Sequence, residues 1–165
     1  MLVYELVTRP GQFEQLLELV YHQKCAYLEP MLDLIQLTSE QFGQYFKTTG
    51  MAYRICESGE LAGLCWVEQQ GRSLFLHGLI IKDEYQGRGI GTQTLKFLES
   101  AYRRRVDCIE LHVHISNPRA KALYERYGFE TVQFLEDSGF YVMQKAIRVP
   151  VPLNKEWSTV KYPSS

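Results

Sequence analysis

The sequence has no C-x-x-C pair. Its four cysteines, Cys25, Cys56, Cys65 and Cys108, stand far apart, so neither a zinc site nor a dithiol redox motif is signalled. They read as reduced thiols in apolar segments. Neither sign of charge is in excess: 18 Lys and Arg against 19 Asp and Glu leave a net charge of −1, which supplies no field for a nucleic-acid backbone. Long hydrophobic runs are missing. The longest, Leu61 to Val67, falls far short of the about 20 apolar residues that a bilayer-crossing helix needs, so no membrane span is expected. The first ten residues, MLVYELVTRP, lack a basic n-region and a long apolar core with a small-residue cleavage site. That points away from secretion and to the cytoplasm. No internal repeat or low-complexity tract is present.

What is there suits one ordinary globular domain: 45% hydrophobic and 22% charged residues exclude disordered, collagen-like and coiled-coil chains. Strand character over 1–7 gives way, after Pro10 and Gly11, to Phe13, Leu16, Leu17, Leu19 and Val20 at helical spacing. The stretch 28–37 mixes Pro30 with apolar and acidic residues and suggests no element. Thr38, with Gln41 three positions on, predicts a capped helix running to about Thr49. Two strands, 51–56 and 61–68, flank a hairpin turn at 57–60, and 73–81 is a third. Helical spacing returns over 89–105, a buried strand follows at 109–115, then a helix over 117–127 ended by Gly128. A last strand pair occupies 129–135 and 140–146. The order is strand, two helices, three strands, helix, strand, helix, two strands. It predicts a mixed α/β fold: a mainly antiparallel sheet of six to seven strands, a parallel pair made by the crossover from 73–81 to 109–115, and about four flanking helices. The domain is expected over 1–147. The tail 148–165, with three prolines and no periodicity, is expected to be extended or disordered.

The most informative segment is Gln86-Gly87-Arg88-Gly89-Ile90-Gly91-Thr92, after a hydrophobic strand and at the start of a helix. Glycines let a ligand approach the backbone, and free N–H groups at a helix start suit an anion such as a pyrophosphate. A flexible strand-to-helix turn would have the same composition. Spacing excludes two alternatives: the G-x-x-x-x-G-K-[ST] loop is absent, and G-x-G-x-x-G fails because Thr92 stands three residues after Gly89. Arg88 could add charge for a phosphate or be merely solvated. His112 and His114 share one strand face without a third ligand nearby, so no metal is expected.

The run LIIKDEYQGRGIGTQTLKFLE resembles the coenzyme A signature of the GNAT superfamily of N-acetyltransferases, Q/R-x-x-G-x-G/A, at Gln86, Gly89 and Gly91. The block LHVHISNPRAKALYERYGFETV resembles that superfamily's second motif, with Asn117, Ala120, Leu123, Tyr124, Gly128 and Phe129 in place. The hairpin SGELAGLCWVE also resembles its central strands. The likeness covers about 1–147 and is strongest over 61–130.

The resemblance implies acetyl-CoA as co-substrate, held in a V-shaped gap where strands 73–81 and 109–115 splay apart. Its pantetheine would pair with backbone near Leu79, Ile80 and Ile81. Its pyrophosphate would rest on the N–H groups of Gln86, Gly87, Arg88, Gly89, Ile90, Gly91 and Thr92. Asn117 would bond the coenzyme, though its place before Pro118 equally makes it a helix cap. Tyr124 matches the tyrosine beside the coenzyme sulfur, where a phenol can protonate the departing thiolate. His77 matches the histidine that deprotonates the amine in the arylalkylamine branch. Other branches carry a glutamate two residues earlier, where this chain has Phe75, so a water relay is the alternative base. A backbone N–H near Leu79 to Ile81 would meet the oxyanion.

The same likeness draws the acceptor pocket from the segment between the first two helices and the last strand pair. Tyr27, Glu29, Asp33 and Tyr141 are the candidate contacts, with Phe42, Tyr45 and Phe140 nearby. Aromatic surface beside carboxylates suits a small cationic amine with an apolar body, and also a peptide N-terminus or lysine. The expected activity is acetyl transfer to a small-molecule primary amine by direct attack in a ternary complex. A peptide N-acetyltransferase and a non-catalytic acyl-CoA-binding module are the alternatives. Dimerisation is open, with Trp157 and Tyr162 of the tail available for contact.

Overall fold

The computed structural model describes residues 1–23 and 28–147. Tyr27 and the tail 148–165, both named above, lie outside the described residues. The elements run β1 (Leu2–Leu6), α1 (Pro10–His22), α2 (Leu28–Ile35), α3 (Ser39–Thr48), β2 (Met51–Glu57), β3 (Glu60–Gln70) and β4 (Ser73–Ile81). A single 3-10 turn at Asp83–Tyr85 leads to α4 (Ile90–Tyr102), β5 (Cys108–His114), α5 (Pro118–Tyr127), β6 (Glu130–Leu135) and β7 (Phe140–Ala146). The strands form one sheet in the order β1-β2-β3-β4-β5-β7-β6. Every neighbouring pair is antiparallel except β4 with β5.

Local signals explain most of the boundaries. Thr38 caps α3 as its spacing predicts: its hydroxyl accepts from Gln41 N at 3.2 Å, and Gln41 Oε1 accepts from Thr38 N at 2.9 Å. The expected four helices become five, because 28–35 is helical. Pro30 is tolerated there since it sits in the first turn, where no backbone N–H is needed for the ladder. Leu28, Met31, Leu32 and Ile35 recur at helical spacing, and Leu32 and Ile35 are buried. The helix expected to reach residue 105 stops at Tyr102, so Arg103, Arg104 and Arg105 lie beyond it.

The sheet carries a core on each face. On one side Leu74, Leu76, Leu111, Val113 and Met143 pack beneath α4 and α5, with Leu95, Leu98 and Tyr124. On the other, Ala52, Leu64, Trp66 and Ile80 meet Leu16, Phe42 and Phe46 from α1 and α3.

The parallel pair is where the sheet opens. β4 and β5 are in register only from Ser73↔Cys108 to Leu76↔Leu111, although β4 stays paired with β3 to Ile81 and β5 stays paired with β7 to His114. The divergence begins at an irregularity. Val67 faces Leu76 and Trp66 faces Gly78, so His77 is one residue too many on β4. Such a bulge bends and twists its strand and re-aims the extra side chain. From His77 onward, the edge of β4 that faces β5 has no strand partner.

Candidate active site

Two openings meet at this divergence. A groove of about 310 Å3 runs from Leu79 and Ile81 past the 86–92 turn to α5. A narrow chamber of about 30 Å3 lies on the other face, between α2, α3 and the sheet. A gap between them is lined by His77 and His112, which the chamber shares, and by Leu79, Asn117 and Tyr124, which the groove shares.

The turn is built for backbone contact. Gly87 and Gly89 have φ of +77° and +78°, values a side chain makes costly, and Gly89 is the N-cap of α4. The first N–H groups of α4 have no intrahelical acceptor and carry the positive end of its dipole. Gly87, Gly89, Ile90, Gly91 and Thr92 all line the groove. Gly91 also lets α4 and α5 approach, since a Cβ there would lie 2.8 Å from Leu123 Cδ2.

Three groove expectations change. Gln86 N donates to Asp83 O at 3.2 Å, so this amide is committed to the 3-10 turn. The Gln86 side chain braces the loop instead, with Nε2 donating to Ile81 O at 3.0 Å and Oε1 accepting from Arg119 at 2.8 Å. Arg88 points away: it donates to Glu57 Oε2 at 3.2 Å and Glu84 O at 2.9 Å and covers the Tyr85 ring. The cations on the groove are Arg119 and Arg126 of α5. The Ile80 side chain turns into the opposite core, leaving Leu79 and Ile81 toward the groove.

Asn117 takes the cap role, its Oδ1 accepting from Ala120 N at 3.2 Å, and it also lines both groove and gap. Tyr124 is 7% exposed, held on α5 against Phe129. Burial pushes its hydroxyl well above the ordinary tyrosine range, so it is a protonated phenol at neutral pH.

His77 sits at the gap from the other side. Its ring stacks on Trp66 at 4.3 Å and meets the edges of Phe75 and Tyr45. Nε2 lies 3.0 Å from Glu68 Oε1. Burial lowers the imidazole's pKa against the opposing pull of Glu68, while the hydrogen bonds from His77 and Gln70 lower that of Glu68. The pair at neutral pH is therefore a neutral ring beside a carboxylate. Since the carboxylate only accepts, Nε2 carries the hydrogen and Nδ1 keeps a lone pair. Glu68 has no place in the sequence reading, yet hairpin counting could reach it. Glu68 pairs with Phe75, which puts His77 on the diagonal, within reach of a long side chain. His112 borders the gap as well, edge-on to Phe75; burial and the neighbouring His77 push its pKa down to about 4.

The acceptor side departs most from expectation. Glu29 and Asp33 lie on the exposed face of α2, while Met31, Leu34 and Ile35 line the chamber. Tyr141 faces α5, under Lys121 and beside Phe134. Its neighbour Phe140 reaches the chamber, because successive strand residues point to opposite faces. Among the described residues, no group of three or more His, Cys, Asp and Glu could hold a metal ion. None of the described helices is long and apolar enough to cross a membrane.

The family model described as "Acetyltransferase (GNAT) family" matches residues 13–129. The chain belongs to the GNAT acetyltransferase family. As a GNAT protein it is an acetyl-CoA-dependent N-acetyltransferase. Its sequence is 27% identical over 113 residues to a spermine/spermidine N(1)-acetyltransferase of Bacillus subtilis, covering 62% of this chain and 72% of that one. It is 30% identical over 119 residues to N-alpha-acetyltransferase 50 of Danio rerio, covering 58% and 71%. Its fold matches a GNAT acetyltransferase from Elizabethkingia anophelis solved with acetyl-CoA bound, with a TM-score of 0.64, 17% identity, and coverage of 88% of this chain and 97% of that chain.

Proposed function

We propose that the protein transfers an acetyl group from acetyl-CoA to the primary amine of a small molecule, by direct attack in a ternary complex. One observation carries the reading. A groove beside a glycine-rich turn and an aromatic chamber border the same gap, which is lined by a phenol shared with the groove and an imidazole shared with the chamber. Acetyl-CoA supplies the thioester.

The amides from Gly87 to Thr92 hold the pyrophosphate, helped by Arg119 and Arg126, and the open edge of β4 at Leu79 and Ile81 lines the pantetheine. His77 takes a proton from the amine as the C–N bond forms. A backbone N–H on that β4 edge donates to the oxygen on which charge develops. As the C–S bond breaks, Tyr124 gives its proton to the sulfur. Glu68 steadies the imidazolium, and the proton returns to the Tyr124 phenolate through solvent. The likeness to N-alpha-acetyltransferase 50 favours a peptide N-terminus as the second reading of the acceptor. The test is calorimetry with acetyl-CoA, followed by thiol release over a panel of amines and peptides. Saturable binding with amine-dependent thiol release is expected; no binding of acetyl-CoA defeats the reading.

A further inference from the structure

The chamber contains a polar group that the fold does not use. Tyr45, on α3, packs edge-on against Trp66 at 5.4 Å and His77 at 5.9 Å. Its hydroxyl is buried and makes no hydrogen bond to any described residue. A buried hydroxyl left unpaired costs about 1–3 kcal/mol, so native proteins rarely keep one without a use for it. Replacing it by the isosteric phenylalanine would remove that cost, and the oxygen, on a residue of the chamber wall, can meet a ligand atom.

The surroundings restrict what that ligand is. Apart from the imidazoles of His77 and His112, the remaining walls, with Met31, Leu34, Phe75 and Phe140, are apolar, and among the described residues no carboxylate lines the chamber. The field of Glu68 reaches Tyr45, but Glu68 is not part of the chamber wall, and its Oε1 is turned to His77 Nε2 and Gln70 Nε2, each at 3.0 Å. A second ammonium carried into this space would lose its hydration and meet no carboxylate on the chamber wall. The chamber is narrow, and the wall that can widen is Met31, whose unbranched side chain re-packs at low cost.

Resting on the transferase reading above, we infer that the acceptor is a primary amine, attacking in its neutral form after giving its extra proton to solvent, with no second cation, on an aromatic or branched apolar body. A carbonyl or hydroxyl oxygen close to its nitrogen accepts a hydrogen bond from Tyr45. Polyamines, which carry several cations on a thin chain, are the wrong class, although two relatives' names include them.

Three probes with acetyl-CoA test this: phenylalaninamide, 2-phenylethylamine and spermidine, read as kcat/KM by thiol release in the wild-type chain and in Tyr45→Phe. Phenylalaninamide is expected to exceed spermidine by at least about tenfold. In Tyr45→Phe the ratio of phenylalaninamide to 2-phenylethylamine is expected to fall about tenfold. The variant's Tm is expected to equal or exceed wild type, because only an unpaired hydroxyl is lost. A preference for spermidine, an unchanged ratio in the variant, a lowered Tm, or no turnover of either aryl amine by a protein that binds acetyl-CoA each overturns the inference while leaving the transferase reading standing. Failure to bind acetyl-CoA removes that reading, and this one with it.

Discussion

The groove and the chamber are opposite kinds of construction. The groove is written largely in one continuous stretch, 79–92, closed by a single nearby helix, and its turn offers the backbone N–H groups of a glycine-rich helix start. The chamber is assembled from α2, α3, β3, β4, β5 and β7, and its contacts are side chains. A site made of amides depends on chain conformation, which glycines and a helix start announce locally. A site made of side chains depends on which face each residue of six distant elements happens to show. The first can be read from a motif; the second needs the fold.

The largest expected effect lies where the two meet. Tyr124→Phe should lower kcat by about 10²-fold or more, while the acetyl-CoA Kd measured by calorimetry stays within about twofold. A parallel loss of both would mean that Tyr124 belongs to the groove alone.

Acid should separate the halves next. His112, buried in the chamber wall, titrates at about 4 in the folded chain but near 6.5 when unfolded. Between those values the unfolded chain binds the extra proton, so stability is complete above about pH 6.5 and falls as the pH drops toward 4. The loss is roughly 3 kcal/mol from this residue. Urea midpoints measured from pH 7 down to 4.5 should show it, and His112→Gln should flatten the slope.

Glu68→Gln sharpens the chamber side. Losing the carboxylate disfavours the charged imidazole, so the acidic limb of kcat/KM should move to still lower pH. The plateau should drop about tenfold as the ring loses its fixed tautomer. A pH–rate profile that does not move would detach Glu68 from His77 and from the chemistry. The smallest effect is expected at Arg88. Its partners are Glu57 and the Glu84 carbonyl at the surface, and exposed pairs contribute about 0–1 kcal/mol. Arg88→Ala should therefore leave acetyl-CoA affinity nearly unchanged, whereas Arg119→Ala should weaken it.

The same division explains what was legible. The strand over 73–81, the Thr38 cap, the Gly128 stop and the parallel crossover follow from periodicity and turn chemistry, which act over a few residues. Helix α2 was hidden by Pro30, a helix breaker everywhere except in the first turn, where it stands. Phe140 and Tyr141 both suggested themselves for the acceptor side, and only Phe140 reaches it, because neighbouring strand residues face opposite ways and the sequence does not fix the strand phase to one residue. Glu29 and Asp33 attract attention as carboxylates, but on α2 the apolar stripe, not the charge, decides which side turns inward. Arg88 lies inside the motif yet faces backwards, and no local signal tells that from a phosphate contact.

The surplus residue in β4 couples length to chemistry. Because His77 is both the ring at the gap and the extra count in the ladder, removing one residue from the β3–β4 hairpin would re-zip the strands and carry the imidazole out of the opening in a single event. Grafting this hairpin between relatives must therefore conserve the number of residues from Val67 to Gly78 as strictly as their identity.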